Sequence, residues 1–307
     1  MPDPSAEPLQ PPPSPLAYAN AAFLESPEAR SLRILAEYLE PLYRLRRENV
    51  QDTIVFFGSA RIKSREVAQA ELAQYFSEFE RQNRLAAERE GRPGPDARAL
   101  EHDRQRALEL SRYYEEAREL ARLLTRWADG LATRRRRFVI TSGGGPGIME
   151  AANRGAREAG GKTIGLNIQL PFEQHANPYV SESLGFEFHY FFMRKFWFAY
   201  PAKALVAFPG GFGTLDELME ILTLAQTQKL AKKILVLLYG SSYWKQVVNF
   251  DALVDWGTIA PADLELFRFA DTPEEAFQLL KTDLERYFLR PPAAAEDETA
   301  PAISRTR

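Results

Sequence analysis

Short apolar runs alternate with longer amphipathic stretches over most of the chain, and this alternation carries the fold class. The runs "TIVFFG" (53–58), "RFVITSG" (137–143), "KTIGLNI" (162–168), "FEFHYF" (186–191), "ALVAFPG" (204–210), "KILVLLY" (233–239) and "FRFA" (267–270) read as strands, rich in β-branched and aromatic residues. Helical spacing separates them at 148–158, 193–200, 215–228 and 243–254, and again after "DTPEE", where Thr272, Pro273 and Glu275 form an N-terminal cap. Strands alternating with helices imply right-handed crossovers and a mostly parallel sheet covered on both faces. The predicted architecture is α/β: a doubly wound, Rossmann-like sandwich.

Outside that alternation the pattern changes. Leu32, Leu35, Leu39 and Leu42 recur every three or four residues, which predicts a helix over 31–45 packing on the main body, with Pro41 kinking or dividing it. Residues 63–112 are long and charged and are broken by "EGRPGPDA", so they read as a helical insertion with an exposed turn. Tyr113, Ala117, Leu120, Leu124 and Trp127 then mark one face of an amphipathic helix that stops at Asp129-Gly130. Proline-rich residues 1–17 and the apolar-poor stretch 291–307 read as flexible tails around one domain, 18–290.

Composition narrows the function classes. A formal net charge of −3 in 307 residues gives no broad basic field, so a nucleic-acid polymer is not an expected partner. The four arginines at 134–137 read as a solvated strand entry. No apolar stretch reaches membrane-spanning length, and the start lacks a signal-peptide pattern, so no membrane role and cytoplasmic residence are expected. Cysteine is absent, which excludes thiol nucleophiles and disulfides. The three histidines, His102, His175 and His189, lack metal-ligand spacing, so neither metal nor cofactor is expected; His175 and Glu173 read as a surface loop pair.

Three strands end in corners suited to an anion, because ligands of open α/β sheets sit beyond the strands' carboxyl ends against unpaired helix-start amides. They are Gly58-Ser59; the cluster Gly143, Gly144, Gly145 and Gly147; and the cluster Gly210, Gly211 and Gly213. Two decoys fail. Ile148 replaces the last glycine of a dinucleotide fingerprint, and Ala156 the first glycine of a nucleotide-triphosphate loop in "GAREAGGKT". At the third corner Thr214 and Glu217 satisfy a capping box, the bland account of both residues. The alternative is chemical: a carboxylate in the first helical turn stays ionised near neutral pH through the helix dipole and can stabilise a developing cation. Asp216 adjoins it for sugar hydroxyls, Arg194 and Lys195 supply the opposite charge, and Phe212 is the aromatic placed to face a base.

This combination resembles the LOG ("Lonely Guy") cytokinin-activating family, long labelled lysine decarboxylases. The motif P-G-G-x-G-T-x-x-E stands here as Pro209-Gly210-Gly211-Phe212-Gly213-Thr214-Leu215-Asp216-Glu217, with the arginine-lysine pair at Arg194-Lys195 and a second glycine corner in "SGGGPGIMEAANRGA". The resemblance covers about 53–239, interrupted by the insertion. It implies hydrolysis of the N-glycosidic bond of a small-molecule nucleotide, a nucleoside 5'-monophosphate, with Arg194 and Glu217 as the catalytic pair. It also implies nucleotide contacts from Gly213, Thr214, Asp216 and Thr223, and a homodimer. Typical members have a histidine and a glutamate directly before the arginine; Phe192 and Met193 stand there instead, which makes the base pocket more apolar. The lysine-decarboxylase label conflicts with the chemistry, since the signature corner holds no lysine for a Schiff base. The rival reading is a protein of the same fold that carries a nucleotide or nucleotide-like cofactor without cutting it.

Overall fold

The computed structural model describes residues 14–87, 97–170, 176–229 and 233–289. Most of both expected tails, the "EGRPGPDA" turn as far as Asp96, and Glu173 with His175 lie outside the described residues.

Seven strands form one sheet: β1 (Thr53–Phe57), β2 (Val139–Ser142), β3 (Thr163–Ile168), β4 (Gly185–Phe188), β5 (Ala202–Ala207), β6 (Leu235–Tyr239) and β7 (Phe267–Ala270). Their order is β4-β3-β2-β1-β5-β6-β7, and every neighbouring pair is parallel. The chain therefore builds outward from β1 to β4, returns to lay β5 against the free side of β1, and builds outward again. The reversal between β1 and β5 is the switch point at which such sheets open a crevice for ligands.

Alternate strand residues feed two cores, as a sheet buried on both faces requires. Ile54, Phe56, Ile140, Val206 and Leu237 face one core, closed by α4 (Ala97–Asp129), α5 (Ile148–Glu158) and α10 (Pro273–Leu284). Val55, Phe57, Leu166, Leu205 and Leu238 face the other, closed by α6 (Phe191–Ala199), α7 (Phe212–Gln226), α8 (Ser241–Val247) and α9 (Phe250–Asp255), with the N-terminal α2 (Arg30–Arg47) behind α6. A short α1 (Ala21–Glu25) precedes α2, and α3 (Arg65–Ala87) pairs with α4.

The structure corrects four sequence expectations about elements. The amphipathic helix expected after the insertion is the second half of α4, whose 33 residues run unbroken from the insertion to Asp129. The helix expected over 243–254 is two helices, because the Asn249 side chain accepts from the Ala252 amide (3.0 Å) and starts α9 afresh. Strand β4 ends at Phe188, where the His189 and Tyr190 amides turn to the Glu37 carboxylate (2.8 and 3.2 Å). Fourth, α2 packs through Ile34, Pro41 and Leu45, while Leu32, Leu35 and Leu39 face outward.

Pro41 does not divide α2. Lacking an amide, it leaves the carbonyl four residues earlier, on Glu37, without its helical donor. The Trp197 indole N–H of α6 takes that place at 2.8 Å.

Candidate active site

At the switch point the first and third glycine corners meet. The Ser59 amide donates to the Pro209 carbonyl (3.0 Å) and the Phe208 amide to that of Phe57 (2.8 Å), so the β1 and β5 loops leave the sheet side by side. A cavity of about 750 Å³ opens there, ample for a nucleoside monophosphate. Gly58, Ser59, Gly143, Arg194, the run from Pro209 to Glu217, and an apolar wall that includes Ile62 and Leu110 line it.

Helix α7 begins earlier than the capping box requires. Its N-cap is Gly211, and no side chain caps it. Thr214 therefore lies inside the helix, and the capping-box account of Thr214 and Glu217 fails. The first-turn amides of an uncapped helix lack intrahelical acceptors and aim at the cavity mouth. The Gly210 carbonyl accepts from the Tyr243 hydroxyl of α8 (2.6 Å), which also lines the cavity.

The glycines differ in what requires them. A β-carbon on Gly210 would fall 2.1 Å from Thr214 Oγ1, and one on Gly143 2.7 Å from Arg194 Nη2, so both are small because protein atoms pass close by. A β-carbon on Gly211 or Gly213 would project into open space, and neither has a positive φ. Neither a left-handed backbone nor packing explains these two, and both leave bare backbone at the cavity.

Glu217 is 7% exposed on α7 and, among the described residues, accepts no hydrogen bond. Burial pushes its pKa up to about 7, while Lys195 and Arg194 pull it back. The expectation that it stays fully ionised near neutral pH is thus corrected: desolvation outweighs the pull of the neighbouring cations. Arg194 is half-buried on α6, where its Nε donates to the Leu166 carbonyl (2.7 Å) and its guanidinium lies 5.0 Å from the centre of the Phe198 ring. Burial lowers its pKa, opposed by the charges of Glu217 and Glu187. A half-buried cation and a buried carboxylate therefore line one cavity.

Other predicted residues are placed differently. Lys195 Nζ is clasped by Asp216 (2.7 Å) and Glu220 (2.9 Å) of α7 and does not line the cavity. Asp216 does line it, with its side chain 60% exposed. Gly144, Gly145 and Gly147 stay outside the lining. The Gly144 and Gly145 carbonyls accept from the Asn177 side chain (both 3.0 Å), which also donates to Asn153 Oδ1 (2.9 Å). Thr223 sits two turns farther along α7, its hydroxyl donating to the Met219 carbonyl (2.7 Å), away from the cavity. Of the aromatic helix α6, Phe191 reaches the lining, whereas Phe192 and Met193 do not.

Sequence reasoning missed Arg61, exposed in the cavity wall beside Ser59, and Glu187, whose charge acts on Arg194 from β4. Arg61 stood in the quoted corner "FFGSAR", but a lone arginine carries no signal by itself. Glu187 had none. Among the described residues, no group of three or more acidic or histidine side chains is placed to hold a metal ion, and no helix is long and apolar enough to cross a membrane.

A parallel doubly wound sheet with an uncapped helix start, a buried carboxylate and a half-buried arginine at its switch point defines a Rossmann-like α/β protein. A family model described as "Possible lysine decarboxylase" matches residues 149–280. A cytokinin riboside 5'-monophosphate phosphoribohydrolase of Arabidopsis thaliana is 32% identical over 50% of this chain and 67% of its own length. A second from the same plant is 29% identical over 47% and 66%. The chain thus spans about two thirds of the length of these curated relatives. Among solved structures, the molybdenum cofactor binding protein of Rippkaea orientalis shares 21% identity at a TM-score of 0.40, over 56% of this chain and 88% of its own. The chain belongs to the LOG family of phosphoribohydrolase-related proteins.

Proposed function

We propose that the protein hydrolyses the N-glycosidic bond of a nucleoside 5'-monophosphate, releasing the free base and ribose 5-phosphate. One observation carries this reading: a buried carboxylate without a hydrogen bond, Glu217, shares a cavity with half-buried Arg194 beside an uncapped helix N-terminus. In outline, the free amides of α7 take the 5'-phosphate across bare Gly211 and Gly213, and Arg61 adds positive charge from the facing corner. The base lies along the apolar wall.

Bond cleavage leaves positive charge on the ribose, which ionised Glu217 stabilises much as carboxylates do in glycoside hydrolysis. Water adds its oxygen to C1' and yields a proton to Glu217, while the bonding pair leaves with the base nitrogen, which takes a proton from solvent. A carboxyl with a pKa of about 7 suits this exchange, being easily ionised and easily reprotonated. Arg194 holds the substrate and keeps an ionised Glu217 tolerable in a desolvated site.

The test is incubation with AMP, other monophosphates and isopentenyladenosine monophosphate, followed by detection of free base. Release that disappears in Glu217→Gln while nucleotide binding persists supports the assignment. Binding without release in the unaltered protein would replace it with a carrier role.

A further inference from the structure

The strands begin at the edge of the sheet opposite the switch point, and a second cavity, of about 590 Å³, lies there. Its cations come from three separate stretches of chain: Arg44 and Arg47 from the last turn of α2, Arg157 from the last turn of α5, and Lys162 immediately before β3. Two carboxylates, Glu48 and Glu182, share the lining, so positive charge is in excess in a chain whose formal net charge is −3.

Some of these charges are committed to a frame. Arg44 lies over the Phe186 ring (4.1 Å) and donates to the Ser183 carbonyl (3.1 Å), to Glu40 (3.0 Å) and to the Gly185 carbonyl. Lys162 is paired with Glu48, and the Ser181 hydroxyl accepts from the Thr163 amide (3.0 Å). The end of α2, the start of β3 and the turn Glu182–Leu184 are thereby fastened into one floor. Arg47 and Arg157 are left over. Both are exposed, and among the described residues neither side chain makes a hydrogen bond or an ion pair. A cation in a last helical turn offsets the negative end of the helix dipole, which accounts for either arginine alone. It does not account for their convergence. Helices α2 and α5 pack on opposite sides of the sheet, so the two arginines reach one hollow from two directions, and Lys162 belongs to no helix. Like charges gathered in this way repel one another, and an anion between them relieves the repulsion.

We propose that this hollow is a second ligand site, for a small molecule that carries a diphosphate. A guanidinium fork pairs with phosphate oxygens two at a time, so Arg47 takes one phosphoryl group and Arg157 the next, above the floor that Arg44 and Lys162 hold in place. The volume lies within the range of small-molecule sites. The switch-point corner differs in kind: one helix start and one exposed arginine, Arg61, suit a single phosphate. The second site lies at the far edge of the sheet from Glu217 and stands whether or not the protein is a hydrolase.

Inorganic pyrophosphate is the probe, titrated into the full chain by calorimetry and located by hydrogen–deuterium exchange. It is expected to slow exchange in peptides covering 43–48 and 181–185. Arg47→Ala and Arg157→Ala should each weaken its binding by about tenfold, with circular dichroism and AMP binding unchanged. Inorganic phosphate, which engages one arginine at a time, should bind about tenfold more weakly than pyrophosphate. Arg46→Ala is the control, because Arg46 is exposed in the same last turn of α2 but does not line the hollow; it should cost less than about twofold. A loss in Arg46→Ala equal to that in Arg47→Ala would mean diffuse attraction and no site. Protection confined to the corner at 209–217, a double variant Arg47→Ala, Arg157→Ala that binds as the parent does, or no pyrophosphate binding at all also overturns the proposal. Equal affinity for phosphate and pyrophosphate overturns the diphosphate assignment.

Discussion

Glu217 pits stability against chemistry within one side chain. Its pKa in the folded protein, about 7, lies above the ordinary 4.5, so the folded state holds the proton more tightly than the unfolded chain does. The stability associated with that proton is complete below pH 4.5 and is lost as pH rises through 7. Glu217→Gln, which cannot ionise, should match the parent's stability near pH 4 and exceed it above pH 7 by something on the order of 3 kcal/mol, while losing about a hundredfold or more in base release. Thermal unfolding of both proteins at several pH values checks the sign: a difference that shrinks toward high pH would mean the carboxylate is stabilised where it lies. Gly213 offers the converse case. With open space around it in the first turn of α7, Gly213→Ala should leave stability unchanged or raise it by up to about 1 kcal/mol, yet weaken nucleotide binding, because the new methyl projects where the ligand's backbone contact is made. Calorimetry of unfolding beside AMP titration separates the two effects.

Elements show where periodicity informs and where it misleads. The strand at 53–57 and the helix at 148–158 were legible to the residue, since each is short, fully patterned and bounded by glycine. The α2 leucines were legible as a helix but not as to which side they face, because the helix is apolar on two sides and its attachment uses groups that hydropathy ignores. Chief among these is the Trp197 indole bonded to the Glu37 carbonyl that Pro41 leaves free. That account predicts coupling. Trp197→Phe in the natural background leaves a partly buried carbonyl without its donor, at about 1 kcal/mol; in a Pro41→Ala background the new amide at position 41 can satisfy Glu37, so the same change should be milder. Urea denaturation of the four proteins closes the cycle, and additivity would show that the indole N–H and the proline are unrelated. The start of α7 was misread for a similar reason. Thr214 and Glu217 have capping-box spacing, but the glycines before them let the helix begin at Phe212, and this leaves Glu217 uncommitted.

For the whole molecule, the cavity joins segments that are far apart in sequence, and this made its polar half legible and its apolar half not. Glycine corners and charged pairs announce themselves in a chain, whereas Leu110 is one leucine among many on a 33-residue helix until the sheet order brings α4 beside the β1 loop. With Ile62, it extends the apolar wall beyond the corner that would hold the phosphate. If the base lies along that wall, enlarging Leu110 should discriminate between ligands by the size of the base alone. Leu110→Phe is expected to lower kcat/KM for purine monophosphates by about tenfold, and less for pyrimidine ones, since a few methylene-sized groups in an apolar pocket are worth roughly 1–3 kcal/mol. Ribose 5-phosphate, which has the phosphate and sugar but no base, should inhibit the variant and the parent equally. Equal loss for all three ligands would mean that Leu110 acts on the corner itself. Loss confined to purines would make the α3–α4 arm part of the specificity apparatus, an outer element selecting the base while the switch point holds the phosphate and cuts the bond.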